Sequence, residues 1–373
     1  MFVVGTSFAK WMKLLFENKF KISWKYISRA IVITFLTFIF SPLILIEKIL
    51  FDRKISKHKI KKQPIFILGH WRTGTTFLHE LLVSDPQHEF ITLTESVFPY
   101  YFLGFSRFFN WLLSLFLPEK RPQDNMKIKA ESPSEHDFAI ANLCTMSPYT
   151  GAYFPTNQDY YNRYVTFKNV SKKEKRKLKR SILYLIKKLE IKKQDKRLVM
   201  KSPIDTARVD LLTELFPEAK FIHIIRNPYK VFFSTKRMHE KLISLLQLQE
   251  REEDLDEFVL SNFEQMYNKF YQDLDLIPKE NYVEIRYEEF VKNPIKVLEG
   301  IYQDLSLPGF NDAKPMFDKY LEKTKDYKPS SYRISEADKL KIYSRWKQFI
   351  NKWGYEKPKE QSVLMLIDSQ KKM

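Results

Sequence analysis

The feature that most constrains the fold of this chain is the stretch of residues 64–79. Residues 65–68 form a short apolar run that is typical of a buried strand, and Gly69 follows it directly. A helical pattern of apolar side chains begins near Thr75. A strand, a glycine-bracketed loop and a helix N-terminus together form a cradle for phosphate, because backbone N–H groups point into the loop and the helix dipole favours an anion there.

This loop has nearly the spacing of the nucleotide-triphosphate loop G-x-x-x-x-G-K-[ST], with Gly69 and Gly74 as its two glycines. Thr75 stands where that loop has the lysine that reaches the terminal phosphates of a nucleoside triphosphate. The difference argues against ordinary hydrolysis of ATP or GTP. Arg72, inside the loop, supplies a cation instead, and Thr76 adds a second hydroxyl. A plain glycine turn between a strand and a helix is the alternative interpretation.

A second candidate for anion binding follows another predicted strand, residues 221–225. This strand ends in Arg226, after which Asn227 can cap the next helix and Pro228 suits its first turn. Ser234 lies eight residues after Arg226, about two turns into that helix, so both side chains can converge on one anion. Arginine binds phosphate through two parallel N–H donors, and serine adds a hydroxyl donor. A simple ion pair between Arg226 and a carboxylate at the sheet edge stays open.

Taken together, the two elements resemble the sulfotransferase superfamily, whose members take a sulfuryl group from 3′-phosphoadenosine 5′-phosphosulfate (PAPS). Residues 69–76 look like the family's 5′-phosphosulfate loop, although Trp71 replaces the usual proline and Thr73 the usual serine. Arg226 and Ser234 are similar to the family's 3′-phosphate motif. The nearest resemblance is to the tyrosylprotein sulfotransferases and their bacterial relatives.

This resemblance implies roles for particular side chains. The loop residues that it assigns to donor binding are Gly69, Arg72, Thr73, Gly74, Thr75 and Thr76. Lys201 ends a third predicted strand, and the tips of parallel strands face the ligand crevice. By resemblance, Lys201 and Arg72 stabilise the transferring sulfuryl group, unless Lys201 is an ordinary surface lysine. Tyr287, after a further strand, and Ser331 and Arg333, in a late loop, are the remaining candidate contacts of the nucleotide.

Sulfuryl transfer to a hydroxyl also needs a group that removes the acceptor proton. Glu135 and Glu95 are nearly equal candidates, followed by His136 and then His70. Glu95 lies 23 residues after Arg72, roughly where the tyrosylprotein enzymes place a catalytic glutamate. Glu135 and His136 belong to an acidic run between a Ser-Pro and a Phe-Ala, which is similar to the bacterial relatives. The alternative for this run is that its acids complement the dipole of a helix.

Composition limits the partners of the chain. The net charge of +18, from 63 basic and 45 acidic residues, suits an anionic cofactor or a membrane surface. Nucleic acid is not expected as a partner, because the lysine-rich residues 172–197 form an amphipathic helix with a solvated polar face. The single cysteine, Cys144, excludes an internal disulfide and a cysteine-based metal cluster. No metal is expected, since arginine and lysine take the role of the cation, and a homodimer stays open.

The first 62 residues differ from the rest of the chain. Residues 30–46 contain seventeen residues without a charge, interrupted by Pro42, which is at the lower limit for a spanning helix. Lysines and aromatic residues flank this run, and positive charge on both sides gives no orientation. An in-plane or re-entrant hairpin with its bend near Pro42 would keep both basic flanks on one side of a membrane. The alternative is a helical pair packed on the domain or on a partner.

We therefore expect an α/β fold with a P-loop-type central parallel sheet and helices on both faces over residues 63–373, preceded by a membrane-associated helical segment over residues 1–62. The resemblance covers roughly residues 60–355 and implies transfer of a sulfuryl group from PAPS to an acceptor hydroxyl of a lipid, a glycan or a similar molecule. The catalytic domain is expected in the cytoplasm, with the lumen of a secretory organelle as the alternative.

Two other functions are alternatives to a sulfotransferase. A P-loop kinase or NTPase would require the loop lysine, which the chain lacks. A membrane-tethered protein that binds a nucleotide without catalysis would keep the same fold and loops.

Overall fold

The computed structural model describes residues 2–119, 127–194, 196–250, 254–326 and 332–358. Within these residues, five parallel strands form a sheet in the order β2-β3-β1-β4-β5. The strands are β1 (Ile65–Leu68), β2 (His88–Glu89), β3 (Arg197–Lys201), β4 (Lys220–Ile225) and β5 (Tyr282–Arg286). The predicted parallel sheet is therefore confirmed, and β1 lies at its centre.

Helices surround the sheet. In the described parts of the chain they are α1 (Phe8–Glu17), α2 (Ile27–Lys57), α3 (Thr75–Leu82), α4 (Leu93–Val97), α5 (Ser106–Ser114), α6 (His136–Cys144), α7 (Pro148–Gly151), α8 (Gln158–Thr166), α9 (Lys172–Lys192), α10 (Val209–Leu215), α11 (Pro228–Leu246), α12 (Leu255–Asp273), α13 (Tyr287–Lys292), α14 (Pro294–Asp304), α15 (Phe310–Thr324) and α16 (Glu336–Lys352).

Both faces of the sheet are covered, as expected. Successive side chains of a strand point to opposite faces, so Phe66 and Leu68 enter one hydrophobic core while Ile65 and Ile67 enter the other. Helices α6, α9, α10, α12 and α16 contribute to the first core, and α3, α13, α14 and α15 to the second. The four strand residues are almost fully buried, which explains why β1 is an unbroken apolar run.

The strand register aligns the points at which the chain leaves the sheet. Ile67 of β1 pairs with Lys201 of β3, and Ile225 of β4 pairs with Arg286 of β5. The loop that starts at Gly69 therefore leaves the sheet beside the ends of β3 and β4. Ligands of open α/β sheets bind at this edge, outside the carboxyl ends of the strands.

Helix α9 ends at Lys192, before the predicted end at residue 197, because Arg197 begins β3. It otherwise follows its sequence pattern with one exception. Ser171 and Glu174 form the expected capping box, and the apolar stripe of the helix is buried. Lys188, however, is fully buried rather than solvated, and its Nζ lies 3.0 Å from the carboxylate of Glu47 on α2. The expectation that all lysines of this helix are solvated is therefore wrong at Lys188, because Glu47 supplies a buried counter-charge.

The N-terminal segment packs into the same core as the rest of the chain. Ala30, Ile33, Phe40 and Ile44 of α2 are buried in the first core. Helix α2 continues through Pro42, so a hairpin bend at this residue is not observed, and the chain instead turns between α1 and α2. The segment thus docks on the domain along one side of α2, as the packing alternative predicted.

The buried pair of Glu47 and Lys188 generates a prediction about stability. Replacing Glu47→Gln leaves a buried lysine without its counter-charge, and we expect the free energy of unfolding to fall by about 3–5 kcal/mol. The double variant Glu47→Gln with Lys188→Met removes both charges and should recover most of this loss. Equilibrium unfolding in urea measures both effects, and a single variant as stable as the wild type would contradict the prediction.

Candidate active site

The loop between β1 and α3 needs both of its glycines. Gly69 and Gly74 have φ angles of +146° and +105°, a region that other residues rarely adopt. A Cβ atom at Gly74 would also lie 2.3 Å from Cδ2 of Tyr287. The backbone N–H of Gly69 donates to Oγ1 of Thr206 at 2.7 Å, which fixes the start of the loop against the segment after β3.

The N-terminus of α3 opens onto this loop. Gly74 is the N-cap of the helix and supplies no side-chain hydrogen bond. Because the first backbone N–H groups of a helix have no partner inside it, those of Thr75 and Thr76 can donate to an acceptor outside the helix. Thr73 is placed differently, since its buried hydroxyl donates to the carbonyl of His70 at 2.8 Å and shapes the loop.

The structure brings the loop together with the second predicted motif. Nε of Arg72 donates to Oγ of Ser234 at 2.9 Å, and Nη1 of Arg226 donates to the carbonyl of Arg72 at 2.8 Å. The guanidinium of Arg226 also lies 4.1 Å from the ring centroid of Tyr287. Nε of Arg226 is buried and has no hydrogen-bond partner within the part of the chain that the structure describes. Such a donor is suited to an anion.

Local sequence positions this motif as predicted. The side chain of Asn227 accepts a hydrogen bond from the backbone N–H of Lys230 at 3.2 Å and caps α11. Pro228 occupies the first turn of the helix, where its missing N–H costs nothing. Ser234 is then carried two turns along α11 to the contact with Arg72.

A second polar cluster lies at the end of β3. Nζ of Lys201 is 2.9 Å from Oε1 of Glu135, the N-cap residue of α6. Oε2 of Glu135 accepts a hydrogen bond from the hydroxyl of Tyr149, which in turn accepts one from Nε1 of Trp71 at 2.9 Å. Trp71 belongs to the loop after β1, so the cluster is joined to the predicted donor site.

The surroundings of this cluster exclude most water. The side chain of Lys201 is 4% exposed and that of Glu135 is 16% exposed. Burial, together with the Glu135 carboxylate, raises the pKa of Tyr149 well above its usual value, so the hydroxyl stays protonated and donates. Oγ of Ser202, the residue after β3, is buried and has no hydrogen-bond partner among the described residues. It is available to a ligand at the strand end.

Glu95 lies away from this cluster. Its carboxylate accepts a hydrogen bond from the backbone N–H of Thr92 at 2.8 Å and lies 2.8 Å from Nζ of Lys192. Burial acts to raise the pKa of Glu95, but Lys193 and Lys192 outweigh it and lower the pKa. Glu95 is therefore paired with the lysines at the end of α9, whereas Glu135 is paired with Lys201 at the end of β3.

The two candidate histidines, His136 and His70, are both buried. Nε2 of His136 lies 3.1 Å from Oδ2 of Asp205, and although burial opposes the charged form, this carboxylate raises the pKa of His136. His70 contacts the ring of Phe263 at a centroid distance of 5.0 Å, and burial lowers its pKa to about 3. A neutral, buried imidazole with so low a pKa is a weak base.

The late loop is only partly described. Ser331 lies outside the described residues, and Arg333 is exposed just before α16. The ring of Tyr332 stacks on Phe233 at a centroid distance of 6.2 Å, which places this loop beside the residue that precedes Ser234. The nucleotide contacts of Ser331 and Arg333 stay predictions.

Sequence reasoning gave no role to Tyr149 and treated Trp71 only as a substitution. Tyr149 lies 14 residues after Glu135 and on another helix, so no local pattern connects them. Trp71 could have been singled out, because a tryptophan in place of the usual loop proline is a large side chain at the mouth of a binding site.

The fold and the site define a transferase of the sulfotransferase class, in which a glycine loop without the loop lysine meets an arginine at the end of β4 and a serine of α11. The chain belongs to the sulfotransferase family, whose model matches residues 64–312. The resemblance inferred from the two motifs is therefore confirmed.

Similarity extends to relatives over almost the whole chain. The chain is 34% identical over 355 residues to the omega-hydroxy-beta-dihydromenaquinone-9 sulfotransferase Stf3 of Mycobacterium bovis and of Mycobacterium tuberculosis. The match covers 95% of this chain and 91% of each relative. It includes the N-terminal segment, which the family model does not cover.

Solved structures show the same fold. The crystal structure of sulfotransferase STF1 from Mycobacterium tuberculosis H37Rv matches with a TM-score of 0.65 and 16% identity, over 92% of both chains. Sulfotransferase STF9 from Mycobacterium avium also has a TM-score of 0.65, with 17% identity, over 85% of this chain and 82% of its own.

The geometry of the loop predicts unequal effects of two glycine substitutions. Gly74→Ala should lower the free energy of unfolding by about 1–3 kcal/mol, because the residue has a positive φ and abuts Tyr287. Gly300→Ala is the matched control: a Cβ atom there meets nothing within 4 Å, and alanine should stabilise α14 by about 0.5–1 kcal/mol. Thermal unfolding compares the two, and equal midpoints would contradict the prediction.

Proposed function

We propose that this sulfotransferase takes the sulfuryl group from PAPS and transfers it to the hydroxyl group of a lipid. The observation that carries the donor assignment is the contact between Arg72 and Ser234. It joins two anion-binding elements in one crevice, and PAPS carries two separate anionic groups, the 5′-phosphosulfate and the 3′-phosphate. ATP and GTP lack a 3′-phosphate, so a kinase or NTPase has no evident use for the second element.

The donor is held by residues from both loops. The N–H groups at the start of α3, from Thr75 and Thr76, hold the 5′-phosphosulfate, aided by the helix dipole. Arg226 and Ser234 hold the 3′-phosphate, with Arg72 beside them rather than at the transferring group. Tyr287 packs against Gly74 and the guanidinium of Arg226, and so fixes the arginine towards the nucleotide.

Glu135 is the proposed base. It removes the proton of the acceptor hydroxyl as the oxygen forms a bond to sulfur and the bond from sulfur to the phosphate oxygen of the donor breaks. Lys201 stabilises the charge that develops on this leaving oxygen, which departs with adenosine 3′,5′-bisphosphate. The hydroxyl of Tyr149, held by Trp71, orients the carboxylate of Glu135 for this task.

A small cavity of about 20 Å³ lies beside this cluster, which is room for about one water molecule and not for a lipid chain. Trp71 and Tyr149 line it together with apolar side chains such as Val165 and Leu242 and polar ones such as Asn162. The proposal of a lipid acceptor therefore rests on the relatives and not on this cavity. The relatives named above are sulfotransferases of a hydroxylated menaquinone, which supports a lipid hydroxyl over a sugar. A larger groove lined by Asp159, Asp254, Glu257 and other polar side chains lies further out and is less suited to a lipid chain. We place the catalytic domain in the cytoplasm, where PAPS is made.

Binding of adenosine 3′,5′-bisphosphate to the full chain tests the donor site. We expect calorimetry to show much tighter binding of this nucleotide than of ADP or 5′-AMP. Arg226→Ala should weaken it by about 10- to 100-fold, because a charge-assisted hydrogen-bond pair is lost. Arg180→Ala, at an exposed position of α9, removes the same charge away from the site and should have no effect. Equal binding of ADP would overturn the donor assignment and favour a kinase-like protein.

Turnover separates the two candidate carboxylates. Glu135→Gln should lower kcat by about 100- to 10,000-fold, because the base is lost, with little change in nucleotide binding. Glu95→Gln is the matched control, since the amide can still accept the hydrogen bond from Thr92, and its kcat should stay near that of the wild type. The reverse order of the two variants would assign the base to Glu95. Nucleotide binding without any turnover in the wild type would favour a non-catalytic binding protein.

A further inference from the structure

The side of α2 that faces away from the domain is apolar and exposed. Its most exposed apolar side chains, with exposures between 60% and 72%, are Ile31, Phe35, Phe38, Leu45, Ile49 and Leu50. Between Arg29 and Glu47 the helix has no ionisable side chain. The uncharged stretch of residues 30–46 is about 25 Å long at the rise of an α-helix. Water would contact a continuous apolar strip if nothing covered it.

Helix α5 and the residues after it widen this strip. Phe108, Trp111, Leu115 and Phe116 are exposed, and Phe116 is 77% exposed. The rings of Phe108 and Phe109 contact Phe40 of α2 at centroid distances of 6.3 and 5.2 Å, so α5 packs against the middle of α2. We call the exposed apolar side chains of α2 and α5 the apolar face.

The opposite side of α2 is bound to the domain near both ends. Nη1 of Arg29 donates to the carbonyl of Gln247 at 2.8 Å. The buried carboxylate of Glu47 accepts hydrogen bonds from the backbone N–H groups of Leu103 and Gly104, both at 2.8 Å, and pairs with Lys188. Although α2 is long and apolar enough to cross a bilayer, crossing would draw these parts of the domain into the hydrocarbon or break the contacts.

Positive charge lies at both ends of the apolar face. The exposed basic residues next to it are Lys19, Lys21 and Lys25 on one side and Lys48, Arg53, Lys54 and Lys57 on the other. Lysines beside an apolar, aromatic-rich helix bind the headgroups of anionic lipids while the apolar side enters the acyl region. A second copy of the chain would set these charges against its own equally positive ends, which disfavours a dimer on this face.

We propose that the apolar face docks on an anionic lipid bilayer. In this arrangement α2 lies parallel to the membrane plane, and its exposed apolar side chains enter one leaflet only. Helix α5 is a second membrane-contacting element beside α2. The docking depends on the apolar face and its basic ends, so it can be tested independently of the donor site at Arg226.

Flotation of the full chain with sealed vesicles of phosphatidylcholine and phosphatidylglycerol tests the docking. The double variant Phe35→Glu with Trp111→Glu should lower the ratio of bound to free protein at least about tenfold, because two charges enter the apolar contact. Leu276→Glu is the matched control, since Leu276 is 54% exposed outside the apolar face, and its binding should be unchanged. Thermal unfolding checks that the variants stay folded. Unchanged binding of the double variant, or a dimer that this variant dissociates, would overturn the proposal.

Cysteine labelling tests the in-plane orientation. In a Cys144→Ser background, Lys25→Cys and Lys54→Cys place one thiol on each side of the apolar stretch of α2. A membrane-impermeant maleimide, added to sealed membranes of the expressing cells, should label both thiols from the same side. Labelling of the two from opposite sides would show a spanning helix and overturn the proposal.

Discussion

The parallel pairing of β1 with β3 and β4 is the constraint on which the rest of the structure depends. Because β1 lies between these strands in register, the glycine loop, Lys201 and Arg226 leave the sheet at one edge although they are distant in the chain. Each local motif could form elsewhere as a turn or a helix cap. Only the register of the sheet brings them into one crevice.

Charge within that crevice is arranged in two groups. Arg72 and Arg226 lie with Ser234, whereas Lys201 lies with Glu135, and the glycine loop contacts the first group through Arg72 and the second through Trp71. Arginine is suited to fixed, bidentate binding of phosphate. Lysine carries a compact charge on a flexible stem, which can adjust to charge that develops during a reaction. This division supports the proposal that the arginines hold the nucleotide and the lysine serves the chemistry, without the loop lysine of nucleoside-triphosphate enzymes.

The sequence predicted the strand ends well and the long-range contacts poorly. Gly69, Gly74, Arg226 and the cap at Asn227 belong to short patterns whose geometry is set by neighbouring residues. Glu135 and Glu95 could not be separated, because their surroundings come from distant segments, namely Lys201 in one case and Lys192 in the other. Tyr149 contacts Glu135, and Glu47 pairs with the buried Lys188. These are tertiary contacts, which the spacing of residues in the sequence does not predict.

The link between α2 and β1 is held rigidly. The buried carboxylate of Glu190 accepts hydrogen bonds from the backbone N–H groups of Lys61 and Lys62 at 3.2 and 3.3 Å, and lies 2.8 Å from Nε2 of His58. A flexible tether would let a catalytic domain swivel and sample many heights above a surface. Here the orientation of the crevice relative to α2 is built into the fold. If α2 docks in the membrane plane as proposed, the reach of the enzyme is a fixed length, and an acceptor would be selected by how far its hydroxyl stands from that plane.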